Sequence, residues 1–512
     1  MGVLRYIYFI SFIYFLADSR GKTSAKIFEA KSANAVSSNP RILLLSIGGL
    51  RTDYLTRINC SNIQSLAENG VSAKYVQTSI NVASIANHYS MVTGLYPESH
   101  GIISQTMFDP ILNRVFNSET REEPEWWSNV HPIWQEIENQ GQGMGAVCRW
   151  PGVYGPMVPT LRCGQRKSFN SDIDQAAKWF KNGVKLVLLY SDDIKKAAIK
   201  WGPYSQNAIK KVMNLDSSIK YLLEKTRDLN VNILLTSDSG VTDLKWDHVI
   251  DLDKCLDPKS YVLTQAQATL LIYPKQGYTS AEIHKNLSKC PHIRAHLKST
   301  LPDHFHYSHN RRIPPVIAFV PLGSVVRSSK PIHQSINAIL NESLWLPKDL
   351  GGSGYHSGYE VMRGVFYASG PSFKAGLKYK AINNTDIYGI MCAVLGITPR
   401  ANNGSIPVAK AMLRGVDFET DMDTSPTSWL STSTTLPPTK WVKTYSRNHG
   451  LFGDFELRGF LIFLACSAAV MVLLCCIGCL HSMRKNVKGG FKRKASVYPP
   501  MLSTNLTSSD ED

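Results

Sequence analysis

The chain has 512 residues, 43% of them hydrophobic and 19% charged, which allows one large α/β domain or a few small ones and excludes a disordered chain. Ten cysteines over this length exclude a disulfide-dense small scaffold. The formal charge of +16 suits acidic glycans, anionic lipid or nucleotides as well as a plain solvated surface, but no basic-aromatic motif accompanies it, so nucleic acid is set aside as a partner.

Arg5 precedes an apolar stretch from Tyr6 to Leu16, and the small residues Ala17 and Ser19 follow at the spacing a signal peptidase needs. That stretch is too short to span a bilayer, so residues 1–19 are expected to be a secretory signal. Continuous apolar runs at 41–47, 184–190, 231–236 and 316–320 have the texture of parallel strands buried on both faces, and 364–368 adds a further one. Helix-like stretches at 171–181 and 206–227 lie between them. Strands alternating with helices predict an α/β fold over residues 40–415, a sheet covered by helices on both faces.

Beyond it, residues 416–458 turn to Ser, Thr and Pro (TSPTSWLSTSTTLPPT at 424–439), a stalk composition that cannot bury a core. Residues 459–480 (GFLIFLACSAAVMVLLCCIGCL) carry no charge and would make a helix of about 33 Å, the thickness of the hydrocarbon core. The tail at 481–512 is basic and then acidic. Its basic cluster predicts a single-pass type I protein in the plasma membrane, with the N-terminal domain outside and the tail in the cytoplasm. Six cysteines fall on the outer side, an even number suited to an oxidising space. Glycosylation sequons stand there at Asn59, Asn286, Asn341, Asn383 and Asn403.

Open α/β sheets bind ligands beyond the carboxyl ends of their strands. That directs attention to Ser46–Asp53, Ser191 onward, Ser237–Gly240 and Gly351–Tyr355, and to the segment NVASIANHYSMVTGLYPESHGI at 81–102.

The longer stretch YVQTSINVASIANHYSMVTGLYPESHGIISQTMFDP (75–110) resembles the ectonucleotide pyrophosphatase/phosphodiesterase family of the alkaline phosphatase superfamily. LLLSIGGLRTDYL (43–55), FHYSHNRRI (305–313), FYASGPSFKAG (366–376) and IYGIMCAVLGITP (387–399) match it in family order. The resemblance implies an alkaline-phosphatase-like fold with a central, largely parallel sheet. It also implies, in active members, two zinc ions that activate a Thr nucleophile towards a phosphodiester. Zinc lowers the nucleophile's pKa and neutralises charge on the transferred group.

Carried over position by position, the nucleophile falls on Ser84 and the Asn that contacts the phosphoryl oxygen on Asn87. Of the six Asp or His ligands, Asp238 alone survives; Gly48, Lys195, Ile199, Ser239 and Ser353 stand in the other places. Gly and Ile offer no donor atom, neutral Ser is a poor zinc ligand, and Lys195 puts a cation where a metal belongs. A shift of register would instead offer Asp192, Asp193 or His356. Ser84 and Asn87 also suit a helix start, where such residues cap.

No metal cofactor is therefore expected, and the favoured reading is an inactive phosphodiesterase-like membrane glycoprotein. Its partner would be a phosphorylated small molecule, or another anionic ligand, or an extracellular protein. The alternative is an active phosphodiesterase on extracellular nucleotides or lysophospholipids, with Ser84 as nucleophile and an altered metal site. Resemblance and proximity also pair Cys148 with Cys163 and Cys255 with Cys290, leaving the pairing of Cys60 and Cys392 open.

Overall fold

The computed structural model describes residues 39–415, apart from 81–82, 128–129, 166, 246, 267 and 330–349. The expected signal, stalk, membrane span and tail, and the sequon at Asn341, lie outside the described residues. Among those described, no helix is long and apolar enough to cross a membrane.

A nine-stranded sheet carries the domain. Its strands, in chain order, are β1 (Arg41–Ile47), β2 (Gly70–Gln77), β3 (Gly145–Cys148), β4 (Leu161–Arg162), β5 (Leu186–Ser191), β6 (Val231–Thr236), β7 (Gly364–Ser369), β8 (Leu377–Tyr379) and β9 (Ile382–Asn383). The spatial order is β8-β2-β7-β6-β1-β5-β3-β4, with β9 also on β2. β1 lies at the centre, parallel to both neighbours, with Leu44 opposite Leu188 on one side and Leu234 on the other.

Side chains alternate across β1, and each face has its own core. Ile42 and Leu44 pack with Tyr89, Trp134 and Ile387, and Leu43, Leu45 and Ile47 pack with Phe180, Ile194 and Leu222. Among the helices that cover the sheet are α1 (Ser61–Glu68), α2 (Ser84–Thr93), α3 (Phe169–Lys181), α4 (Asp193–Trp201), α5 (Gln206–Thr226) and α6 (Asp386–Leu395). α2 and α6 contribute to the first core, and α1, α3, α4 and α5 to the second.

One expectation is refined and one corrected. The sheet is largely parallel but mixed, because β7 alone is reversed and runs antiparallel to both β6 and β2. A strand buried on both faces is apolar throughout, and such a run carries no mark of its direction. The run at 316–320 also belongs elsewhere. Val316–Phe319 sits in a separate four-stranded antiparallel sheet with Tyr261–Ala266, Thr269–Pro274 and Arg294–Leu297. It is continuously apolar because it lies between two cores, with Ile317 and Phe319 in the one against the main sheet. Val316 and Ala318 face the small sheet's own cluster.

Both inferred disulfides are present, Cys148–Cys163 with Cα atoms 4.9 Å apart and Cys255–Cys290 at 5.4 Å. The first closes a fifteen-residue separation, worth about 3 kcal/mol if loop entropy alone is counted. Cys60 and Cys392 are unpaired and buried, and they belong to the cores on opposite faces of the sheet.

Candidate functional site

The ends of β1 and β6 and the starts of α2 and α4 converge on one pocket. After Ile47 the chain turns through Gly48 and Gly49, the latter at φ +79°. A Cβ on Gly49 would sit 2.8 Å from the Cα of Lys195, closer than real Cβ contacts, so a glycine here lets α4 press onto the strand end. The amide of Lys195 donates to the carbonyl of Gly48 at 3.0 Å, which fixes the first turn of α4 over β1. A Cβ on Gly48 would lie 2.8 Å from the Tyr190 hydroxyl and 3.5 Å from Cδ of Lys195.

Ser84 is the first residue of α2. Ala83 holds the cap position and no side chain caps this helix, so the capping role open to Ser84 is not the one it takes. Its hydroxyl donates to Oδ2 of Asp238 and accepts from Nζ of Lys195 at 2.8 Å. The same ammonium lies 3.6 Å from Oδ2 of Asp238 and 3.5 Å from Oγ of Ser239. Asn87, one turn along α2, donates its amide to the backbone carbonyl of Asp238 at 3.1 Å. Gly48, Ser84, Asn87, Lys195, Asp238 and Ser239 thus meet, although they come from four separate parts of the chain.

Asp238 is fully buried. Burial alone would raise its pKa, but the Lys195 ammonium first, and the Ser84 hydrogen bond with it, hold it below the usual carboxylate range. Beneath this group His88 is also fully buried, and burial, helped by Lys195 and opposed by Asp238, pushes its pKa down. Nδ1 of His88 is 2.7 Å from the carbonyl of Ser84, and a carbonyl only accepts, so Nδ1 carries the proton. In the neutral ring Nε2 then accepts from the Ser46 hydroxyl at 2.8 Å. Trp150 and Tyr190 pack edge-on against the ring. His88 is committed on both nitrogens and does not act as a base towards the Ser84 hydroxyl. This Ser46–His88 bond had a faint signal in the sequence, one hydroxyl inside the apolar run RILLLSI.

Two of the positions carried over by resemblance do not join in. Ile199, partly buried, packs against a small cluster formed by Ala197, Ala198, Ala208 and Val241. Ser353 follows the short strand Gly351–Gly352, which pairs with Thr242–Asp243. Two of the register alternatives have other partners: Asp192 pairs with Lys196 at 3.0 Å, and His356 packs against Phe305 and Phe319. Among the described residues, the one group of three Cys, His, Asp or Glu with ligand atoms within 4.8 Å is Cys148, Cys163 and Asp172, and its two sulfurs form a disulfide. The four sequon asparagines within the described residues, Asn59, Asn286, Asn383 and Asn403, are exposed.

Comparison with known proteins places this geometry. The family model for type I phosphodiesterase / nucleotide pyrophosphatase matches residues 42–341. Human bis(5'-adenosyl)-triphosphatase ENPP4 is 32% identical over 397 residues, covering 75% of this chain and 84% of that protein. Human ectonucleotide pyrophosphatase/phosphodiesterase family member 5 is 30% identical over 379 residues, covering 71% and 76%. Among solved structures, murine ectonucleotide pyrophosphatase/phosphodiesterase 5 superimposes with a TM-score of 0.66 at 28% identity, covering 73% of this chain and all of that one. An inactive variant of the same murine protein, in complex with AMP, matches equally well.

Proposed function

This chain belongs to the type I phosphodiesterase / nucleotide pyrophosphatase family, and from that premise we propose that it is a member without phosphodiesterase turnover, a membrane-anchored extracellular glycoprotein that acts by binding. The observation that carries the reading is Lys195, whose ammonium stands 2.8 Å from the Ser84 hydroxyl and 3.6 Å from Asp238. A zinc ion takes about four N, O or S ligands, and two zinc ions need close to twice that. Around Ser84 the side chains offer one carboxylate, the hydroxyls of Ser84, Ser239 and Tyr190, the Asn87 amide and a cation. That donor set does not fit a two-zinc centre.

The space supports the same reading. The Tyr190 hydroxyl and the Lys195 stem fill the volume that a side chain at Gly48 would enter, so restoring an Asp there does not by itself rebuild a ligand. Without a metal, a serine hydroxyl keeps a pKa far above neutral, and the buried His88 is already spent on Ser46 and the Ser84 carbonyl. Lys195 takes over the electrostatic part of the metal's work by neutralising the buried Asp238. A phosphorylated or otherwise anionic small molecule would meet Lys195 and Asn87 in this pocket.

Metal analysis and turnover of a chromogenic phosphodiester on the purified chain test the proposal together. The expected result is substoichiometric zinc and no turnover above that of Ser84→Ala, with AMP as the binding probe. Stoichiometric metal, with turnover abolished by Ser84→Ala, would overturn it. That outcome would favour the second reading, an extracellular nucleotide or lysophospholipid phosphodiesterase with an altered metal. One observation speaks for this alternative: Ser84 still hydrogen-bonds the retained Asp238.

A further inference from the structure

The ammonium in the Ser84 pocket is already matched by a carboxylate, so it adds little net positive charge there. The excess lies outside. Residues 161–228, which form α3, β5, α4 and α5, carry fourteen Lys or Arg against seven Asp or Glu, and all three helices cover the same face of the sheet. Between them opens a cleft of about 610 Å³ that does not include Ser84, Lys195 or Asp238.

The floor of this cleft is set by Ile47 and Ser191, at the carboxyl ends of β1 and β5, the position where sheets of this kind receive ligands. Lys167 and Lys211, both exposed, stand in its wall, the first just before α3 and the second on α5. Neither has a carboxylate partner among the described residues. The rest of the wall is mostly amide and hydroxyl, with Asn170, Asn214, Ser217 and Ser218. Ser218 donates to Asn170 at 2.8 Å and ties α5 to the start of α3, so the two cations sit on a braced frame. Asp193 is the one acid in the wall.

We propose that this cleft binds a sulfated saccharide chain. Two cations on a fixed frame match sulfate or carboxylate groups along a chain, and amides and hydroxyls match sugar hydroxyls. The volume lies in the range of ordinary ligand sites. The same wall argues against the other polyanions. Phe169, its one aromatic residue, packs partly buried against the core beneath, so no ring is presented for base stacking. The wall also lacks the exposed apolar side chains with which a protein enters a lipid interface.

The test measures binding of the full chain, purified in detergent, to immobilised heparin at physiological salt. The double variant Lys167→Glu/Lys211→Glu is compared with Lys178→Glu/Lys181→Glu, which makes the same charge change further along α3 and outside the cleft. The cleft variant is expected to lose about tenfold or more in affinity while the control loses no more than about threefold, since a screened field falls off within about 8 Å at this salt. Equal losses in the two variants would show only a diffuse field and overturn the site, as would no binding by the unaltered chain. Tighter binding to duplex DNA than to heparin would overturn the saccharide assignment. The zinc and turnover result at Ser84 moves none of these readouts.

Discussion

Two buried aspartates show how differently one residue type is used in this molecule. Asp109, fully buried, is saturated. Arg311 and Arg312 both bind it, with closest contacts of 2.8 Å, and the amides of Ile111 and Leu112 donate to it as well. Burial alone would raise its pKa, but the hydrogen bonds from both guanidiniums and both amides hold it far below the usual range. Asp238, equally buried, has one ammonium at 3.6 Å and one hydroxyl on Oδ2, while Oδ1 accepts no hydrogen bond from another residue among those described. A saturated carboxylate is a clamp, here joining the hairpin that begins at Met107 to the loop before Val316. A partly satisfied one at the end of a central strand marks a place organised for something other than stability.

The largest expected effect breaks the clamp. Asp109→Ala leaves Arg312 buried without its carboxylate and should cost about 3–5 kcal/mol in urea unfolding; a loss under about 1 kcal/mol would remove the distinction between the two aspartates. Lys195→Met should cost somewhat less, roughly 3 kcal/mol, because Asp238 would stay buried with only a hydroxyl for company. Adding Asp238→Asn to that variant should recover most of the loss, whereas Arg312→Met added to Asp109→Ala should recover less, Arg312 also donating to the Gly101 and Trp126 carbonyls.

The pH dependence sharpens the same contrast. Both aspartates have folded pKa values below the unfolded one, so each contributes stability that is complete above about pH 4 and is lost as pH falls through the folded value. His100, buried and lowered to about 3 mainly by burial, contributes in a higher window, from about 6.5 downward, because the unfolded chain takes up its proton first. The urea midpoint should therefore decline between about pH 6.5 and 4 before either carboxyl is involved; the buried His88, also lowered by burial, adds to that decline, so His100→Gln should reduce this upper part without abolishing it. The smallest effect belongs to Asn87→Ala, which removes one hydrogen bond to the Asp238 carbonyl and should cost about 1 kcal/mol. A much larger loss would mean that Asn87 holds the pocket together rather than facing a ligand.

Four adjoining strands at the middle of the main sheet, β7, β6, β1 and β5, were legible along the chain, and the other five were not. Runs such as RILLLSI at 41–47 and VNILLT at 231–236 have the apolar continuity that burial on both faces demands, and both are strands of the main sheet. Strand direction and partnership were not legible: VIAFV at 316–320 has the same texture, yet it forms part of another sheet because it is buried between two cores. At the candidate site, Ser84, Asn87 and Asp238 stood out through motif resemblance, and the structure brings them together. Ile199 and Ser353 took their places from the same resemblance, but neither side chain bonds into the cluster, since a matched position does not say where a substituted side chain will pack.

The sequence by itself determined what chemistry each position can offer, because a donor atom is a property of the residue: Gly48 has none, Ser239 has a hydroxyl, Asp238 has a carboxylate. The tertiary structure alone decided that the Lys195 ammonium reaches Asp238 and Ser84. That meeting depends on Gly49 allowing α4 to close onto the end of β1, and on α2 beginning beside β6. Electrostatic pairing acts over a few ångströms, and chain positions 84, 195 and 238 become neighbours only when the sheet has set its strand order.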